Sequence, residues 1–157
     1  MTVGRVSISP RGTPDSLTVR PARLSDAGAI LEISGDMGIE CREGELDLHL
    51  GEILNSTDHE VFVAMVGNTI AGWVHVFAAR RVGVAGFAEI GGLVTRKAFR
   101  RKGVGQLLVE QCETWAKRNH KSRIRVRCNP RREGAHEFYG KIGFARIKDQ
   151  VVYEKCA

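Results

Sequence analysis

The sequence predicts one mixed α/β domain organised on a central β-sheet. Three observations carry that expectation. Apolar runs of strand length alternate with segments whose apolar residues recur at helical spacing. The stretch Glu89–Gln106, EIGGLVTRKAFRRKGVGQ, passes from a strand pattern through a basic loop into two glycines that open a helix pattern. The length of 157 residues suits a single domain able to bury a real core.

The elements follow in order. Residues 1–16 contain Pro10, Pro14 and two glycines and are expected to be a loose tail, leaving 17–157 as the domain. They lack the apolar run of a secretory signal. Leu17–Arg20 alternates as a first strand. Ser25-Asp26 reads as a cap for a helix carrying Ala29, Ile30 and Ile33. A second helix is expected over Glu45–Leu54, where Leu46, Leu50, Ile53 and Leu54 share a face. Glu60–Val66 and Thr69–Ala79 form a hairpin about Gly67-Asn68. Phe87–Thr95 is the fourth strand, and a helix runs from Gly103 to about Asn119 on Val104, Leu107, Leu108, Cys112, Trp115 and Ala116. Arg123–Cys128 alternates basic and apolar residues as a fifth strand. A helix over Glu133–Ile142 is stopped by Gly143, and Phe144–Lys148 with Val151–Lys155 are expected to close the sheet. The expectation is therefore about seven strands and four helices.

Charge is divided along the chain. Residues 1–60 hold 5 Lys/Arg against 11 Asp/Glu, and the rest hold 19 against 7. An acidic part followed by a basic one suits two ligands, one cationic and one polyanionic, or simply a solvated surface. No run reaches the roughly 18 apolar residues of a membrane span. The four cysteines, Cys41, Cys112, Cys128 and Cys156, have no metal-ligand spacing, which argues against a zinc site or disulfide framework and fits a reducing cytoplasm.

The segment Arg100-Arg101-Lys102-Gly103-Val104-Gly105-Gln106 has the chemistry of an anion cradle. Glycines allow backbone N–H groups to approach an oxyanion, and a helix N-terminus adds a favourable dipole. A diphosphate is the natural ligand; a solvated basic loop is the alternative. Two common nucleotide motifs fail. Walker A needs a Gly-Lys-Ser/Thr that is absent, and the dinucleotide fingerprint needs a third glycine where Leu108 stands and an acid near Arg127 and Cys128.

The pattern Arg100, Gly103, Gly105 resembles the [QR]-x-x-G-x-[GA] acetyl-CoA motif of the GCN5-related N-acetyltransferase (GNAT) superfamily. The run NPRREGAHEFYGKIGF, Asn129–Phe144, resembles that superfamily's second block, in which an Asn ends the fifth strand and F-Y-x-x-x-G-F follows. The resemblance spans roughly residues 17–155 and is clearest from Glu89 onward. It implies a mixed, mostly antiparallel sheet whose fourth and fifth strands splay to admit the pantetheine arm of acetyl-CoA. It also implies that Leu93, Val94 and Thr95 pair with that arm, with the Leu93 N–H on the thioester carbonyl. Arg100, Arg101, Lys102, Gly103, Val104, Gly105 and Gln106 would hold the diphosphate. Many relatives dimerise, so the resemblance admits a homodimer.

The resemblance further implies an enzyme that transfers acetyl to an amine, with Tyr139 as the acid that protonates the departing thiolate. Phenol and thiol pKa values near 10 and about 8.5 make that transfer energetically close. An aromatic packing role is the alternative. Asn129 would bond the pantetheine or its own turn; His136 reads as a helix-surface or turn-capping histidine rather than a base. Some relatives place a base where Glu89 stands. Glu89 and Leu93 would share a strand face about 13 Å apart, so a water relay is needed; a Glu paired with a neighbouring strand is the alternative, and His75 a weaker candidate base. Gly91-Gly92 suggests a bulge or a close cofactor approach.

For the acceptor, Asp36, Glu40, Glu43, Glu45, Asp47 and Glu52 would attract a cationic amine: a polyamine, an aminoglycoside, a lysine side chain or a protein N-terminus. A primary amine of a cationic small molecule is the leading expectation, and protein acetylation the runner-up. Binding of RNA through Arg123, Arg125, Arg127, Arg131 and Arg132 is disfavoured by the absence of interleaved aromatics.

Overall fold

The computed structural model describes residues 5–6 and 16–157. Most of the expected tail therefore lies outside the described residues. Two compact units are seen, Met1–Arg127 and Cys128–Ala157.

The first unit holds a six-stranded sheet in the order β1-β2-β3-β4-β5-β6. The strands are β1 (Arg5–Val6), β2 (Leu17–Pro21), β3 (His59–Val66), β4 (Thr69–Arg81), β5 (Val84–Thr95) and β6 (Ile124–Val126). Neighbours are antiparallel up to β5, and β5–β6 is parallel. The parallel pair is possible because helix α3 (Val104–Arg118) supplies the long crossover that parallel strands require. The two-residue β1 falls inside the expected tail and pairs with Leu17 and Thr18.

Helices α1 (Ala27–Gly35) and α2 (Glu43–Leu54) cover one face of the sheet. Ile30 of α1 and Leu50 of α2 pack with Val61 and Val63 of β3, and Trp73 of β4 joins them from the same side. The other face carries α3, whose Val104, Leu108, Val109, Cys112, Trp115 and Ala116 are buried. Its proximity is set by Gly72, where a Cβ would lie 2.7 Å from the Val94 carbonyl oxygen and 3.2 Å from Val104. Ser25-Asp26 does not cap α1 through the Asp26 side chain. That carboxylate instead accepts two bonds from Arg20, at 2.8 and 2.9 Å, and the Arg23 N–H at 2.7 Å. Asp26 is buried, and the Arg20 guanidinium lowers its pKa from 3.8.

The β4–β5 ladder contains the bulge expected at the paired glycines. His75 faces Gly92 and Val76 faces Ile90, so Gly91 is the inserted residue. β6 is shorter than the expected Arg123–Cys128, because its ladder ends at Ile90↔Val126. Beyond that pair β5 continues to Thr95 without a β6 partner.

The second unit contains α4 (Glu133–Lys141). Phe138 and Ile142 are half-buried. The expected closing strands Phe144–Lys148 and Val151–Lys155 are not formed, so the sheet has six described strands and not about seven. Alternation of side chains sets a strand's faces but does not supply a ladder. Here Arg146 closes locally on Asp149 at 2.6 Å, and Ile147, Val151, Val152 and Tyr153 are exposed.

Candidate active site

The first unit brings Leu93–Thr95 and Arg100–Gln106 into one continuous feature: the free edge of β5, a short 3-10 turn at Lys97–Phe99, and the start of α3. The ladder between β5 and β6, the two strands between which the sequence reading expects an opening, ends at Ile90↔Val126. An extended chain laid against Gly91–Thr95 would there meet an edge with no strand partner among the described residues.

The turn into α3 is shaped by two left-handed residues, Arg101 at φ 60° and Gly103 at φ 81°. Left-handed backbone suits glycine and costs an arginine roughly 1 kcal/mol. Gly103 is the N-cap and supplies no side chain to bond the first N–H groups of the 15-residue helix. Those donors and the helix dipole are therefore directed at whatever occupies the turn. Arg96 and Arg100 stabilise the loop from outside. Arg96 donates to Glu32 Oε1 of α1 at 2.6 Å and to the Ile70 carbonyl, while Arg100 Nε donates to the Thr95 carbonyl at 3.3 Å. Lys102 lies over the Phe99 ring at 5.7 Å. The Gln106 amide bonds Glu110 within the helix.

The bulge changes the faces of β5. Glu89 faces Phe77 across the ladder, whereas Leu93 faces Val74, and these β4 residues point to opposite sides. Glu89 and Leu93 therefore do not share a face, contrary to the simple alternation read from the sequence; one inserted residue reverses the parity. Glu89 lies on the α1/α2 side, only 6% exposed. Its Oε1 accepts Arg127 Nε at 2.5 Å, and Arg81 approaches Oε2 at 3.9 Å. The neighbouring Arg125 guanidinium stacks over Phe87 at 4.1 Å, and Arg123 donates to the Ala85 carbonyl. Arg125 of β6 and the flanking Arg123 and Arg127 are thus committed to β5 rather than arrayed for a polyanion.

On the same face, Trp73 covers Gly92 so closely that a Cβ there would lie 2.7 Å from its ring. Trp73 Nε1 donates to Ser34 Oγ of α1 at 3.2 Å. His75 lies against Gly91, where a Cβ would come within 2.8 Å of Nδ1. His75 Nε2 and His59 Nδ1 are 2.9 Å apart. Burial, aided by His59, lowers the His75 pKa to about 4. His59 is the residue that sequence reading missed. The signal was present: the hairpin register about Gly67-Asn68 sets His75 diagonally beside His59.

The acids divide unevenly. Asp36, Glu40, Glu45, Asp47 and Glu52 are all exposed. Glu40 and Glu45 line a groove of about 460 Å³ between α1 and α2, with Leu31, Ile39, Cys41 and Arg42.

In the second unit Asn129 Oδ1 accepts the Arg131 N–H at 2.9 Å, bonding its own turn. His136 Nε2 reaches the carbonyls of Asn129 and Pro130 at 3.1 Å each, the turn-capping role read from the sequence. The half-buried Tyr139 ring packs edge-on against Phe138 and Phe144, with centroids 5.1 and 5.4 Å away. No group of metal-ligating side chains large enough to hold an ion occurs among the described residues, and no helix among them is long and apolar enough to cross a membrane.

The chain matches the acetyltransferase (GNAT) family over residues 29–144. No curated protein matches it. Among solved structures, aminoglycoside N-acetyltransferase AAC(6')-Iy in complex with CoA superposes with TM-score 0.83 at 16% identity, covering 96% of this chain and 100% of that one. An aminoglycoside antibiotic 6'-N-acetyltransferase from Acinetobacter haemolyticus gives 0.78 at 17% identity, covering 88% and 98%. A transcriptional regulator from Bacillus halodurans gives 0.79 at 22% identity, covering 88% and 99%. At these identities the likeness is one of fold.

Proposed function

The chain belongs to the acetyltransferase (GNAT) family and is an acetyl-CoA-dependent N-acetyltransferase, and on that premise we propose that it acetylates a primary amine of a cationic small molecule by direct attack. The observation that carries the acceptor class is the α1–α2 groove with the Glu40 and Glu45 carboxylates on its wall. Two carboxylates concentrate a polyamine or aminoglycoside and orient its ammonium groups. Solved structures of like fold include aminoglycoside acetyltransferases, which supports the same class.

In this reading the diphosphate of acetyl-CoA takes the N–H groups at the start of α3, with Arg101 and Lys102 adding charge. The pantetheine lies along Leu93, Val94 and Thr95 as an added strand, and the Leu93 N–H polarises the thioester carbonyl. Asn129 holds the turn that follows β6. The amine lone pair attacks the carbonyl carbon, the C–S bond breaks, and Tyr139 gives its phenolic proton to the sulfur. Glu89, bound to Arg127, secures β6 at the mouth of the opening. This replaces the role of base, because its carboxylate already serves a guanidinium.

The test is thiol release from acetyl-CoA with a panel of amines, comparing wild type with Tyr139→Phe. Turnover of polyamines or aminoglycosides should exceed that of neutral amines, and Tyr139→Phe should lower it about 10²-fold. An unchanged Tyr139→Phe rate removes Tyr139 from the mechanism, and a preference for peptide N-termini or lysine peptides moves the acceptor to protein.

A further inference from the structure

The two histidines on the α1/α2 face have no part in the reaction as proposed above; in the sequence reading His75 is only the weaker candidate base. His59 of β3 and His75 of β4 lie with ring planes 19° from parallel and are joined through Nδ1 and Nε2 at 2.9 Å. Phe77 packs against both rings, at 5.3 Å from His59 and 5.4 Å from His75. The pair is therefore held on its apolar side and linked on its polar side. What remains is His75 Nδ1, which makes no hydrogen bond among the described residues and lies over Gly91. Gly91 is the inserted residue of the bulge, is exposed, and immediately precedes the free β5 edge. Any side chain at Gly91 would displace the imidazole, since even a Cβ would be 2.8 Å from Nδ1. The bulge thus leaves a ring nitrogen against Gly91, on the α1/α2 side of that edge.

We propose that His75 Nδ1 takes the proton released by the attacking amine, and that His59 is the positioning residue that fixes the required tautomer. This rests on the acetyl-transfer reading. Two neutral imidazoles joined by one hydrogen bond need one donor and one acceptor. With His59 Nδ1 as acceptor, His75 carries its proton on Nε2 and presents the Nδ1 lone pair to the bulge. The amine nitrogen forms its bond to the carbonyl carbon and yields one proton to Nδ1. The C–S electron pair leaves on sulfur, which takes the Tyr139 proton. The imidazolium then loses its proton to water and the phenolate regains one from water, so the net transfer is from amine to thiol.

The surrounding charges suit a neutral base. Glu89 on the same face is bonded to Arg127 with Arg81 nearby, and Arg125 lies on Phe87. Asp58, beside His59, is paired with Arg80. From α2, Leu46, Leu50, Ile53 and Leu54 meet the sheet, while Glu45, Asp47, His49 and Glu52 are exposed. Burial keeps His75 unprotonated down to about pH 4, so it does not repel a cationic acceptor.

The test compares wild type, His75→Ala, His75→Phe, His59→Phe and His59→Asn in steady-state acetylation of the best amine, with acetyl-CoA binding followed by thermal shift. His75→Ala should lose about 10²-fold in kcat, keep its KM for acetyl-CoA within about twofold, and recover at least about tenfold on addition of imidazole. His59→Phe keeps the ring stack but loses the acceptor, and should lower kcat about tenfold; His59→Asn, whose Oδ1 can stand where Nδ1 was, should recover most of it. If His75→Ala does not fold, His75→Phe, which retains the packing, must show the same kcat loss. Full activity in either folded His75 variant, or a loss in His75→Ala that imidazole does not restore, overturns the proposal. A wild-type enzyme without turnover on any amine removes the acetyl-transfer reading and this one with it, whereas turnover that is indifferent to His75 removes this one alone.

Discussion

Arg127 Nε donates to Glu89 Oε1 at 2.5 Å, one residue past the last β5–β6 pair, Ile90↔Val126. The bond spans the point at which the two strands stop sharing a ladder. Glu89 is buried and Arg127 half-exposed, so the pair is partly shielded from water. Arg127→Ala leaves the carboxylate with Arg81 alone at 3.9 Å. The expected result is a loss of about 1–2 kcal/mol in urea unfolding and weaker acetyl-CoA binding, with kcat at saturation little changed. A kcat defect in Glu89→Gln at undiminished acetyl-CoA affinity would return Glu89 to the role of base.

Gly72 controls how closely α3 approaches the sheet. A Cβ there would be 2.7 Å from a backbone oxygen, which cannot rotate away as a side chain can. Gly72→Ala is expected to cost about 2–3 kcal/mol in stability and to raise the KM for acetyl-CoA, because Val104, at the start of α3, must move with it. Chemical denaturation together with acetyl-CoA titration measures both effects.

Gly103 makes a different prediction. No atom lies within 4 Å of its absent Cβ, but its φ is +81°. Gly103→Ala therefore meets backbone strain without a clash, and should cost about 1 kcal/mol in stability. Thermal unfolding reads that cost, and a larger fractional change in acetyl-CoA affinity is expected on the proposal that this turn holds the diphosphate.

The fold was largely legible because its elements carry local signals. The Gly67-Asn68 turn, the Gly103 helix start and the apolar face of α3 each announce themselves within a few residues. The bulge was suggested by Gly91-Gly92, but its consequence was not. A single inserted residue exchanges the faces of everything beyond it, so Glu89 and Leu93 separate although they are four apart in sequence. The His59–His75 link needed the register of two strands at once, with its irregularity between Ala64 and Met65. The alternation in Phe144–Lys155 misled for the opposite reason: a local pattern was present without a ladder to use it.

His75 gives a pH signature of its own. Its folded pKa, about 4, is below the ordinary 6.5. Between these values the unfolded chain binds the proton and the folded chain does not. Stability from this group is whole above about pH 6.5 and is lost as pH falls toward about 4. The wild type minus His75→Phe difference in unfolding free energy should therefore shrink by about 2 kcal/mol over that window. Asp26, whose pKa is lowered by Arg20, acts further down: its stabilisation is present above 3.8 and lost below it, and Asp26→Asn removes that limb.

The most direct measurement of the central claim is mass analysis of the products formed from acetyl-CoA and a polycationic amine. The account predicts one acetyl group on a primary amine, one equivalent of free CoA thiol, and loss of both in step in Tyr139→Phe. Acetyl-CoA consumed without an acetylated amine across polyamines and aminoglycosides, or no consumption at all, would contradict it.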